Sequence, residues 1–306
     1  MQAPDDFDPP IGVAETLAPG LRRIVAPNPS PMTYRGTNTY LVGNDEIAVI
    51  DPGPQSDAHL EAILAAVGPG ARISHILVTH THLDHSPLSR ALAARTGAPI
   101  WGYGDTHAGR SAVMRKLAAT GMLGGGESPD LAFRPDHLIA DGDVIEGADW
   151  QLTALWTPGH YGNHLCFRFG DAVLTGDLVM GWATSLVSPP DGDLTDFMAS
   201  CEMLARQDAA VLFPGHGAAV TDPRARLDWL LEHRRGREAQ ILSALSEGAN
   251  TADGLARRIY TDTPAALLPA ATRNVLAHLI DLVGKNAVAP VGELAADARF
   301  TRIGPD

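Results

Sequence analysis

The densest chemistry in the chain lies in the run Thr79-His80-Thr81-His82-Leu83-Asp84-His85. It follows residues 76–79, an apolar, β-branched segment that reads as a buried strand. In an extended strand end the side chains alternate with period two, so His80 and His82 point to the same side. Asp84 and His85 fall where the chain turns into the next helix, expected over 87–96 with Ser86 as N-cap and Pro87 at the first helical position. Four metal-type ligands therefore converge from six residues. Three further segments end in a related way: Thr157-Pro158-Gly159-His160, Thr175-Gly176-Asp177 and Phe213-Pro214-Gly215-His216-Gly217 each follow a short apolar run. Each sets one ligand-capable residue on a glycine turn that lets backbone approach a centre closely. Together these segments hold five histidines and two aspartates, enough for two metal ions.

Those residues need strand ends on which to converge. Strand-like runs are expected at 21–26, 38–42, 46–50, 76–79, 144–145, 152–157, 165–169, 172–175 and 210–213. Helices are expected at 60–67, 87–96, 111–120 and 194–206. Strands with helices outside point to two packed sheets in an α/β layered architecture. Residues 1–20 read as an arm. Residues 102–135 read as a Gly-rich connection around one helix, with Gly124-Gly125-Gly126 in it, and a connection of this length is often an active-site lid. From residue 221 the pattern is helical (224–246, 251–260, 265–282), and 288–291 with 299–303 reads as a hairpin. The expected division is a front domain over 1–220 and a C-terminal domain over 221–306.

The 306 residues carry 23 basic and 36 acidic side chains, a formal charge of −13. All of that excess lies before residue 221; the tail holds 11 of each sign. An acidic front domain argues against a surface built throughout for nucleic acid. No stretch reaches the roughly 18 to 20 uninterrupted apolar residues of a membrane helix. The first residues lack a basic n-region and an apolar h-region, so a cytoplasmic location without membrane association is expected. Two cysteines, Cys166 and Cys201, cannot form a disulfide scaffold and read as packing residues.

These motifs resemble those of the metallo-β-lactamase superfamily. The resemblance implies a four-layer αββα sandwich with a dinuclear site at one sheet edge, here followed by a small winged-helix-like helical domain. It makes His80, His82 and His160 ligands of a first metal. Asp84, His85 and His216 become ligands of a second, and Asp177 the bridging carboxylate. His- and carboxylate-rich ligation suits two Zn²⁺, with Fe or Mn as alternatives. Asp51 matches an acid that orients a ligand histidine. His164 is a candidate to contact substrate or a ligand, and Arg35 to meet a substrate phosphate or carboxylate. Asn28-Pro29-Ser30-Pro31-Met32-Thr33, Gly36-Thr37-Asn38-Thr39-Tyr40, Asp141-Gly142-Asp143, His233-Arg234-Arg235-Gly236 and Asn274 with His278-Leu279 narrow the resemblance to the β-lactamase-like protein 2 subfamily. That subfamily includes proteins that cleave single-stranded RNA and thioesterases acting on carrier-bound acyl chains.

The resemblance implies a hydrolase. Two divalent cations lower the pKa of a shared water towards about 7, giving hydroxide without a strong base. Asp84 would hold that water and pass its proton on. The expected substrate is a thioester or ester of a small or carrier-bound acyl group. The alternative is a phosphodiester or single-stranded RNA, for which the neutral, Arg-containing tail would supply contacts. An oligomer is compatible with the sequence.

Overall fold

The computed structural model describes residues 6–122, 124 and 128–304. Residues 1–5 of the expected arm, and Gly125 and Gly126 of the glycine run, lie outside the described residues. The first sheet follows chain order: β1 (Glu15–Ala18), β2 (Leu21–Val25), β3 (Asn38–Val42), β4 (Glu46–Ile50), β5 (Arg72–Leu77), β6 (Ile100–Gly102) and β7 (His137–Leu138). It is antiparallel from β1 to β4 and parallel from β4 to β7. Helices α1 (Asp57–Ala65) and α2 (Leu88–Thr96) form two of the parallel crossovers. α3 (Ala112–Ala119) lies between β6 and β7. The second sheet comprises β8 (Val144–Glu146), β9 (Gln151–Trp156), β10 (Leu165–Phe169), β11 (Ala172–Gly176) and β12 (Val211–Pro214). Helix α4 (Leu194–Ala205) joins the last two, which pair in parallel.

Strand alternation decides the layers. Tyr40, Val42, Ala48, Ile50 and Leu77 of the first sheet pack against Leu152, Ala154, Leu165, Phe167 and Leu174 of the second. Their odd neighbours in the first sheet, Leu41, Ile47 and Val49 with Ile76, face the other way onto Leu60 and Ile63 of α1 and Leu88 and Leu92 of α2. Leu155, Cys166, Val173 and Leu212 face outward onto Phe197, Cys201 and Leu204 of α4. The result is the expected four-layer αββα sandwich.

Helix α5 (Pro223–Leu245) opens with Asp222 as N-cap, its side chain accepting from the Ala225 N–H, and with Pro223 in its first turn. The expected boundary at 220/221 falls just ahead of it. Its Leu227, Leu230 and Leu231 pack into the α4 layer, while Ile241, Ala244 and Leu245 pack with α6 (Ala252–Ile259) and α7 (Leu268–Gly284). A small sheet of β13 (Asn250–Thr251), β14 (Val288–Val291) and β15 (Arg299–Arg302) completes the C-terminal part, with the expected hairpin in register Val288↔Arg302. Residues 265–284 form a helical stretch long and apolar enough to cross a membrane by length and composition. Half of its most apolar window is buried inside the molecule, against α5, α6 and the hairpin.

One local expectation is corrected. Ser86 does not cap α2: its hydroxyl donates to the Asp130 carboxylate at 3.0 Å, tying the start of α2 to the connection that precedes β7. That connection is also fastened at α3, whose Met114 and Leu117 are buried in the C-terminal core.

Buried His59 gives the front domain a pH dependence of its own. Thr39 Oγ1 donates to the Asp51 carbonyl at 2.6 Å, so His59 Nε2–H donates to that hydroxyl at 2.8 Å. Its Nδ1 is buried with no hydrogen-bond partner among the described residues. A proton there would meet no acceptor, and burial pushes the His59 pKa down to about 4. The unfolded chain takes the proton near pH 6.5 and the folded chain does not. Stability is therefore full above about pH 6.5 and falls as pH drops towards 4, by about 3 kcal/mol from this group. Thermal unfolding of His59→Gln across that window is expected to fall less steeply than that of the parent.

Candidate metal centre

The ends of five strands meet at one edge of the sandwich. β4 leads into Asp51, β5 into the histidine run, β9 into His160, β11 into Asp177 and β12 into His216. The Pro-Gly-His turns matter because the approach is close. A Cβ on Gly215 would lie 2.3 Å from Asp177 Oδ1 and 2.8 Å from the His85 ring. One on Gly159 would lie 2.3 Å from the Phe197 Cα, and Gly159 has φ near +143°, which L side chains rarely adopt.

All seven side chains are buried. His82 Nδ1 lies 2.9 Å from His80 Nε2 and 3.1 Å from His160 Nε2, so three ring nitrogens point at one spot. In the second group His216 Nε2 lies 3.1 Å from Asp84 Oδ2 and 3.3 Å from Asp177 Oδ2. His85 Nε2 lies 3.3 Å from Asp84 Oδ2 and 3.5 Å from Asp177 Oδ1. Asp177 Oδ2 is also 3.8 Å from His160 Nε2, which places this carboxylate between the two groups. Within each group the donor atoms lie within 4.8 Å of one another.

The donor set fits two cations. Both oxygens of Asp84 and Oδ1 of Asp177 are buried with no hydrogen-bond partner among the described residues. A buried carboxylate in that state is costly unless a cation faces it. Burial holds His80 and His160 below the ordinary imidazole range and His82 down to about 3, so all three keep the neutral form that ligates. Burial also opposes charge on His85 and His216, but the carboxylates outweigh it: Asp84, Asp177 and Asp51 raise His85, and Asp177 with Asp84 brings His216 to about 10. The same histidines hold Asp84 and Asp177 low against burial. The cluster concentrates positive charge where its carboxylates face, and its oxygen and imidazole donors suit a Zn²⁺-type ion, with Fe or Mn also matched.

The far nitrogens of these rings are held as well. Asp51 Oδ2 accepts from His85 Nδ1 at 2.8 Å, and Asp51 also accepts from the Thr79 N–H and hydroxyl, both at 2.7 Å. His160 Nδ1 donates to the Leu186 carbonyl at 2.7 Å, and His216 Nδ1 to that of Gly36 at 3.2 Å. Such partners fix tautomer and ring orientation. His164 is fully buried and lies behind the cluster. Its Nε2 accepts from the Asp177 N–H at 3.2 Å, so its Nδ1–H donates to Thr157 Oγ1 at 2.9 Å. His164 thus positions Asp177, and its ring does not reach the cavity. Arg35 does not join the site. It lies over the Tyr34 ring, donates to the Phe7 carbonyl at 3.2 Å and pairs with Asp8 at 3.5 Å, which ties down the N-terminal arm.

A cavity of about 310 Å³ opens onto His82, His160 and Asp177. Sequence reasoning missed most of its wall. Met32, Met180, Trp182 and Leu186 line one side. Leu267, Ala270, Ala271 and Asn274 line the other. The last four are spaced i, i+3, i+4, i+7, one face of a helix, which is the signal that could have found them. No lysine or arginine lines this cavity among the described residues.

Comparison with known proteins places this geometry. The family model described as the metallo-beta-lactamase superfamily matches residues 32–216, and that of the beta-lactamase associated winged helix domain matches 251–294. The beta-lactamase-like protein 2 homolog of Drosophila melanogaster is 30% identical over 279 residues, covering 87% of this chain and 88% of the relative. The atrochrysone carboxyl ACP thioesterase of Aspergillus fumigatus is 31% identical over 247 residues, covering 78% of this chain and 68% of the relative. The crystal structure of a metallo-beta-lactamase family protein from Thermus thermophilus superposes with a TM-score of 0.75 at 26% identity, covering 94% of this chain and all of that one. The chain is a metal-dependent hydrolase by fold and site; it belongs to the metallo-β-lactamase superfamily and, within it, to the β-lactamase-like protein 2 group.

Proposed function

We propose that this chain is a dinuclear zinc hydrolase that cleaves acyl thioesters. The observation that carries the substrate class is the wall of the cavity, which is largely apolar and, among the described residues, presents one carboxylate, Asp177, and no lysine or arginine. Away from the proposed metals, a polyanion would find no cationic side chain along the described wall. Several arginines of the C-terminal part are engaged within the chain. Arg235 pairs with Glu202, Arg257 with Asp253 and Arg258 with Glu247, while Arg226 and Arg234 are buried. An apolar acyl group suits the wall, and the thioesterase name of the Aspergillus fumigatus relative supports the same reading.

His80, His82 and His160 would hold one ion, and Asp84, His85 and His216 the other, with Asp177 between them. Bound there, the pair supplies Lewis-acid polarisation of the thioester carbonyl and acidification of a water. Asp84 Oδ1, free of protein donors among the described residues, takes the proton of the attacking water. Water oxygen adds to the carbonyl carbon, the C–S bond breaks, and the proton passes from Asp84 to the departing thiolate. Met180, Trp182 and Leu267 bound the space in which the acyl chain excludes water.

The test is a substrate panel of acyl-thioesters, a bis-aryl phosphodiester and single-stranded RNA at rising salt. Thioester turnover that changes little with salt is expected. RNA cleavage that falls steeply with salt, without thioester turnover, would overturn the reading. The wall makes a sharper prediction. Ala270→Leu adds methylene volume to the cavity, and one methylene in an apolar pocket is worth about tenfold or more in discrimination. The variant is expected to lose kcat/KM on long acyl chains by about tenfold relative to acetyl, read from steady-state rates on a chain-length series.

A further inference from the structure

Two side chains of the C-terminal part, Arg234 and Asn274, converge on the loop that carries Leu186. Arg234 on α5 is 2% exposed, and its guanidinium lies over the Phe197 ring at 5.1 Å. Its Nη2 donates to the Ser185 carbonyl, and its Nη1 donates to Asn274 Oδ1 on α7 at 3.0 Å. The same Asn274 oxygen accepts from the Val187 N–H at 3.0 Å. The Ser185 hydroxyl donates to the Leu178 carbonyl at 2.9 Å. The peptides on both sides of Leu186 are thus held, one by its carbonyl and one by its N–H. Between them, the Leu186 carbonyl accepts from His160 Nδ1 at 2.7 Å.

We propose that Arg234 and Asn274 are positioning residues for His160: the C-terminal part of the chain sets the orientation of a front-domain imidazole through the Leu186 carbonyl. This rests on the reading of His160 as a ligand. A planar guanidinium satisfies two acceptors in fixed directions, which an ammonium at the same place would not do. Asn274 faces the cavity on the same helix face as Leu267, Ala270 and Ala271. The face that shapes the acyl wall therefore also holds the ring that faces His80 and His82. Without Asn274 Oδ1, the Val187 N–H loses its acceptor and the Leu186 peptide is free to rotate, which would release the tautomer and tilt of the His160 ring.

The test is cobalt(II) titration of the full chain, followed by visible ligand-field absorption and by chelator competition, for the parent, His160→Ala, His216→Ala, Asn274→Leu, Asn274→Asp and Arg234→Lys. The two histidine variants identify the signal of each group. Asn274→Leu is expected to weaken cobalt at the three-histidine group by about tenfold and leave the group of His216 unchanged. Asn274→Asp keeps an oxygen acceptor for both donors and is expected to restore parent affinity. Should Asn274→Leu fail to fold, Arg234→Lys reads the same joint from its other side, with the same selective weakening expected. Loss of thermal stability with parent cobalt affinity at both groups would overturn the proposal. If His160→Ala still binds two equivalents, the ligand reading fails instead, and the two failures are told apart by that variant alone.

Discussion

Asp177→Ala is expected to hold fewer than two metal equivalents and to lose turnover by about a thousandfold or more. Asp177 is the side chain that approaches both groups, at 3.3 Å from His216 Nε2 and 3.8 Å from His160 Nε2. Its Oδ1 is buried with no hydrogen-bond partner among the described residues. Its removal takes away a negative charge that faces His85, His216 and His160. The fold should persist, because the backbone N–H of residue 177 still donates to His164 Nε2. Elemental analysis beside steady-state kinetics checks this. Two equivalents retained, with turnover within about tenfold, would place the chemistry elsewhere.

Asp51→Asn is expected to weaken binding at the group of His85 by roughly 10- to 100-fold while leaving the chain folded. Asp51 accepts three hydrogen bonds across its two oxygens. Oδ1 takes the Thr79 N–H, while Oδ2 takes the Thr79 hydroxyl and His85 Nδ1–H. An amide has one oxygen. Turned one way, its NH₂ faces the Thr79 N–H; turned the other, it faces the Thr79 hydroxyl and His85 Nδ1–H, so at least one buried hydrogen bond is lost, at about 1–3 kcal/mol each. If the NH₂ faces His85, the ring gives up its tautomer, and with it the lone pair at Nε2. Competition with a graded chelator, together with thermal unfolding, separates this from a general loss of stability: the midpoint should fall modestly and the affinity sharply. Equal chelator resistance in variant and parent would remove Asp51 from the account.

The parts of the site legible in the sequence are those written by local periodicity. The alternation Thr79-His80-Thr81-His82 set two rings on one side of a strand end, and Gly159 and Gly215 stand where a Cβ would collide with Phe197 and Asp177. Layer assignment was equally readable, since odd and even residues of β3, β4 and β9 to β11 sort cleanly between the two faces. What stayed hidden depends on backbone. The carbonyls of Gly36 and Leu186 that hold His216 and His160 have no side-chain signature, and their partners lie 180 and 26 residues away. Ser86 has the look of a helix cap, but Asp130, 44 residues on, offers its hydroxyl an acceptor. Arg35 sits near ligand-bearing loops in sequence pattern, yet Asp8 and Phe7 claim it through an arm whose pairing no local rule announces. The cavity wall from α7 required knowing that the C-terminal part folds back over the front domain.

The central claim is tested most directly by anomalous diffraction from crystals of the metal-loaded chain, collected on both sides of the zinc absorption edge. Two peaks are expected, one within about 2.1 Å of His80 Nε2, His82 Nδ1 and His160 Nε2, the other at similar distance from His85, His216 and Asp84, with Asp177 reaching both. A single peak, or peaks away from these seven side chains in crystals of active protein, would contradict it.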